Sequence, residues 1–79
     1  MNKIKIFENS ELGFLKVVEH KNEVWFVGKN IADLLGYQNG SRDINRHVDI
    51  EDRTKAMISD GKQLKNTILI NESGLYSLI

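Results

Sequence analysis

Between Val24 and Gly36 (VWFVGKNIADLLG) the apolar pattern of the chain changes period. Val24 to Val27 is a continuous apolar run of strand length. Gly28-Lys29-Asn30 breaks the strand. Ile31, Leu34 and Leu35 then fall at i, i+3 and i+4, one stripe of a helix about two turns long. Gly36 stands where a left-handed cap favours glycine. Tyr37-Gln38-Asn39-Gly40 is turn material. Asn39 or Ser41 can cap a second helix by accepting from a free backbone N–H. That helix would run to about His47 and bury Ile44 and Val48, leaving Arg42, Asn45 and Arg46 away from the buried stripe.

The flanking segments predict a sheet. Ile4 and Ile6 alternate with Lys3 and Lys5 as a half-buried strand. Gly13 to Glu19 (GFLKVVE) is rich in β-branched and aromatic residues and reads as a second strand. With the polar turn His20-Lys21-Asn22-Glu23 and the run Val24 to Val27, these form an antiparallel meander. Asp49-Ile50-Glu51-Asp52 is an acidic link with room for one helical turn. Lys55 to Ser59 and Gln63 to Ile70 flank Asp60-Gly61, a strong signal for a hairpin with a type I′ turn. Asn71 can cap a last helix, Glu72 to Ile79, whose apolar stripe would be Leu75, Leu78 and Ile79. That helix reaches the last residue without a glycine or basic end. The expectation is a chain cut within a longer helix, or a frayed end. The predicted class is α+β: an N-terminal meander plus a C-terminal hairpin, a helix–turn–helix-like pair and a C-terminal helix.

Seventy-nine residues hold one small domain, so 1–79 is read as a single unit. Without cysteine there are no disulfides or thiolate metal sites. The N-terminus lacks the apolar run of a signal peptide, which makes a soluble cytoplasmic protein the expectation. Asn39-Gly40-Ser41 and Asn71-Glu72-Ser73 match the glycosylation pattern, by chance on that reading. The net charge of zero counts against a strongly basic nucleic-acid binder but allows a local basic face.

Ala32 and Gly36 are spaced as the small residue and turn glycine of a helix–turn–helix motif. In the DNA-binding version the second helix enters the major groove. Arg42 and Arg46 could clamp phosphate or contact guanine, and Asn45 could pair with adenine. Lys29 and Ser41 lie near helix starts, where phosphate is favoured. The turn reads about two residues longer than the usual three to four. On spacing alone a plain helical hairpin with a solvated charged face is the stronger reading.

Arg53, Lys55, Lys62 and Lys65 form a second basic set. The hairpin could reach phosphate like a wing, although lysines that guard an edge strand are the more ordinary explanation. His47, Asp49, Glu51 and Asp52 do not form a helical ligand pair, so no metal or cofactor is expected. There is no P-loop, dinucleotide fingerprint or nucleophile elbow, and catalysis is not expected. Phe14, Trp25 and Phe26 could stack bases, but aromatics on a small meander are more often core.

Residues 25 to 53 (WFVGKNIADLLGYQNGSRDINRHVDIEDR) resemble the central signature of the Bro N-terminal (BRO-N) family. Residues 70 to 79 (INESGLYSLI) resemble its second signature, in which an Asn-Glu-Ser-Gly run opens a helix. The family opens proteins of phages, prophages and large DNA viruses, many described as antirepressors. The resemblance implies a small α+β domain and non-enzymatic DNA binding in control of phage or prophage genes, inside a bacterial host cell. Lys29 falls on the family's basic position before the first helix, Arg42 and Arg46 on the second helix, and His47 at its end. Where the family often has proline after the asparagine, this chain has Gly40, so a looser helix start is expected. The family's last helix normally continues into a basic stretch.

The expected DNA-binding set is Lys29, Ser41, Arg42, Asn45, Arg46, His47, Arg53 and Lys55. The partners implied are double-stranded DNA, a phage repressor protein and, if the domain self-associates, a homo-oligomer, with no membrane. The rival reading is a protein-interaction module that captures a repressor without touching DNA.

Overall fold

The computed structural model describes residues 4–59 and 61–79. Five strands form one antiparallel sheet in the order β1-β2-β3-β5-β4. In chain order these are β1 (Lys5–Asn9), β2 (Gly13–His20), β3 (Glu23–Val27), β4 (Arg53–Ser59) and β5 (Leu64–Ile70). Helices α1 (Gly28–Leu35) and α2 (Gly40–His47) lie between β3 and β4, with a 3-10 turn at Ile50–Asp52, and α3 (Glu72–Leu78) follows β5. The expected meander and hairpin are both present. Pairing of Phe26 with Ile70 and Val27 with Leu69 joins them into one sheet.

The β2–β3 turn shows the geometry that the sequence placed elsewhere. His20 pairs with Glu23, and Lys21 and Asn22 both take positive φ, 52° and 65°. Positive φ at both central residues is the mark of a type I′ hairpin turn. The β4–β5 register ends at Ser59↔Leu64, leaving a four-residue connection in place of the expected two-residue turn. Asp60 lies outside the described residues; Gly61 takes a positive φ of 95°.

Alternation along the strands puts a separate cluster on each face of the sheet. Leu15 and Ile70 pack with Ile31, Ile44, Val48, Leu75 and Leu78 beneath the helices. Val18, Val27, Ala56, Ile58 and Leu69 form the cluster on the far face, with Ile4 and Trp25 against it. Ile6 was expected half-buried but is 64% exposed, because β1 is an edge strand beyond the reach of either cluster. Phe14 is also exposed. Trp25 faces the second cluster while Phe26 packs under the helices, so the aromatics do not share one stacking surface.

The helical pair is close-packed. Gly36 takes φ 87° at the end of α1, and Asn39 caps α2 by accepting from the Arg42 N–H at 3.1 Å. Because the cap is Asn39, only residues 36–39 separate the helices, and the expected over-long turn does not occur. Ala32 is fully buried, and a Cβ at Gly40 would stand 3.3 Å from its methyl. A Cβ at Gly28 would meet Ile44 Cδ1 at 2.7 Å. The buried face of α1 is Gly28, Ile31 and Ala32; Leu34 turns partly to solvent.

The Asn-Glu-Ser-Gly run ties α3 to the acidic link. Asn71 Oδ1 accepts from Gly74 N–H at 2.8 Å, and Asn71 Nδ2 donates to Asp52 Oδ1 at 3.1 Å. A Cβ at Gly74 would stand 3.0 Å from each of Asp52 O, Ile70 Cβ and Val48 Cγ1. Leu75 and Leu78 are buried as expected, whereas Ile79, past the end of α3, is 69% exposed.

Candidate nucleic-acid interface

Helix α2 presents a basic, acid-free outer face. Ser41, Arg42, Asn45, Arg46 and His47 are all exposed. The one carboxylate of the helix, Asp43, is only 8% exposed. Its Oδ1 accepts from Arg42 Nε at 3.4 Å, while the Arg42 side chain itself stays 59% exposed. His47 tilts against Tyr37, with ring centroids 5.9 Å apart, and Tyr37 donates to the Leu78 carbonyl at 2.6 Å. The end of α2 is thereby linked to the end of α3.

Arg53 is held inward of that face. Its Nε donates to the Val48 carbonyl at 3.1 Å and its Nη1 to Asn45 Oδ1 at 2.8 Å. It fastens the start of β4 to the C-terminus of α2 and orients the Asn45 amide. With Asn45 and Lys55 it lines a smaller cleft beside α2.

Next to α2 the sheet is split. β3 ends at Val27, where the chain turns into α1, so β2 before Val17 and β5 before Leu69 have no β3 partner. On the β2 side Asn30 substitutes for a strand: its Oδ1 accepts from Lys16 N–H at 2.8 Å, and its Nδ2 donates to the Phe14 carbonyl at 3.3 Å. On the β5 side lies an open groove of about 500 Å³. Lys29, Ser41, Asn45 and Lys55, half of the expected set, line it together. Arg42 and Arg46 lie farther round α2 and do not line it.

Two lysines outside that set, Lys16 from β2 and Lys65 from β5, also line it, beside the apolar Ile4, Val27, Ile44, Ile58 and Ile68. Lys16 alternates with the buried Leu15 and Val17, which marks only an outward-facing strand position. Lys65 belongs to the basic hairpin set, for which edge protection was the ordinary explanation. Lys65 lies in the part of β5 that has no β3 partner, an open edge, so edge protection accounts for it as well. Among the described residues the groove lining contains no Asp or Glu.

The BRO family N-terminal domain matches residues 14–79 of the chain. The chain belongs to that family. The match takes in β2 from Phe14, every later element and both signature segments. Neither the curated proteins nor the solved structures gave a match. In this BRO-N domain the two signatures meet in space: Asn71 and Gly74 of the second rest on Asp52 and Val48 of the first. Among the described residues no helix is long and apolar enough to cross a membrane, and no three His, Cys, Asp or Glu side chains group as metal ligands.

Proposed function

We propose that this BRO-N domain binds double-stranded DNA through the outer face of α2, as the N-terminal domain of a phage or prophage antirepressor-type regulator acting in the cytoplasm of a bacterial host. The reading rests on the charge of that face: Arg42 and Arg46 are exposed while the only carboxylate of the helix is buried. Cations held on one rigid helix can neutralise several phosphates even in a protein of zero net charge. Asp49 and Glu51, exposed just past the helix, repel phosphate. The duplex is therefore expected on the Ser41–Asn45 side of α2, toward Lys29 and Lys55.

The test is fluorescence anisotropy of a labelled random-sequence duplex at several salt concentrations. With about four phosphate contacts, log affinity should fall against log salt with a slope of about −3.6. No binding at low salt by folded protein would reject the reading. The alternative, capture of a repressor protein, draws on the zero net charge and on the exposed Met57 and Leu64 of the hairpin. Binding of that kind need not depend on salt. A homo-oligomer is compatible with either reading.

A further inference from the structure

We propose that the split between β2 and β5 is a second nucleic-acid contact, a groove that seats the sugar–phosphate backbone of one strand, with Lys16 and Lys65 as phosphate ligands. This inference rests on the nucleic-acid reading of the domain but not on α2 being the element that reads the duplex. Three observations carry it. Four lysines, Lys16, Lys29, Lys55 and Lys65, line one groove, although they come from β2, α1, β4 and β5. Folding therefore gathers charges that the sequence scatters.

The second observation is that the groove lining is free of carboxylates among the described residues, in a chain with as many acids as bases. The third is position. One wall is the Ser41–Asn45 edge of α2, the edge adjoining the Arg42–Arg46 face. Lys16 and Lys65 stand on the sheet face away from the helices, since Leu15 packs beneath the helices and Lys65 pairs with Ile58 of the far cluster, so a strand held there would approach that edge of α2 through the split from the opposite face. Phosphate contacts position a protein on nucleic acid, whereas base contacts specify the sequence. The ligand chemistry is a phosphodiester chain, which a duplex or a single strand can supply.

The experiment compares wild type, Lys16→Gln/Lys65→Gln and Arg42→Ala/Arg46→Ala, each confirmed as folded by circular dichroism. The probes are a labelled random duplex and a labelled oligothymidylate, titrated from low to physiological salt. The groove variant should bind the duplex more weakly, with a log–log salt slope shallower by about 1.8, the loss of two contacts at about 0.9 each. The loss should be similar for duplexes of different sequence. If the groove variant matches wild type on both probes while the arginine variant is weakened, the groove proposal is overturned and the α2 reading stands. If wild type binds oligothymidylate but not the duplex, and the groove variant loses that binding, the groove stands and the duplex reading falls. Failure of wild type to bind either probe overturns both.

Discussion

Gly74 and Lys21 show opposite relations between residue and site. At Gly74 any side chain would press on a backbone carbonyl and on two packed side chains, all 3.0 Å from the added carbon. Gly74→Ala should cost about 1–3 kcal/mol, as overpacking does, and thermal unfolding would register it as a lowered midpoint. Asn71→Ala removes the cap of the same helix and should cost roughly 0.5–2 kcal/mol. At Lys21 the backbone, not the packing, is unfavourable. Its φ of 52° lies in the left-handed region, which costs most L-residues about 1–2 kcal/mol. Asparagine tolerates that region, so Lys21→Asn should recover part of this cost and raise the urea midpoint without changing its slope. A lowered midpoint would mean that the Lys21 side chain contributes more than the turn geometry costs.

Among the elements, α2 combines two roles on opposite sides. Ile44 and the following Val48 hold it to the core at 1% and 2% exposure, while Arg42 and Arg46 face solvent. Arg46 can change with little effect on folding, whereas Arg42 also donates to the buried Asp43 carboxylate. Arg42→Ala/Arg46→Ala should weaken duplex binding at least tenfold while lowering stability by about 1–3 kcal/mol, the cost of leaving a buried acceptor without its donor. Unchanged affinity in the folded double variant would remove α2 from the interface. Arg53 should act on both as well. Its two hydrogen bonds brace Asn45 and the Val48 carbonyl, so Arg53→Ala should lower the melting temperature as well as affinity. Their periodicity and caps made α1, α2 and α3 legible, since Asn39, Gly36 and Asn71 act within one turn of their own helices. The burial of Asp43 was not legible. It depends on how α2 is rotated against the sheet, which local pattern does not encode.

For the whole molecule, charge and stability should respond separately to salt. The core is two apolar clusters, one on each face of the sheet, and apolar burial is not screened by ions. The proposed DNA contacts are exposed cations, and those are screened. Raising salt from 50 to 200 mM should weaken duplex binding about a hundredfold if about four phosphates are contacted. The thermal midpoint should move by only a few degrees over the same range. A parallel collapse of stability would place the cations in the scaffold of the fold instead of its interface.

The sequence by itself determined the α+β class, the strand runs, the caps at Gly36 and Asn71 and which side of α2 is basic. Each of these follows from residues a few positions apart, where alternation, a glycine or a capping amide acts directly on the neighbouring backbone. Both family signatures were legible for the same reason, being continuous segments. Tertiary structure alone decided that β5 stands inside the sheet next to β3, through pairs such as Phe26 with Ile70. It alone opened the split beside that short pairing and brought Lys16, Lys29, Lys55 and Lys65 to one groove. Those lysines are separated by up to 49 positions, and only the closing of the sheet, driven by burial of Leu69 and Ile70 at 0% exposure, makes them neighbours.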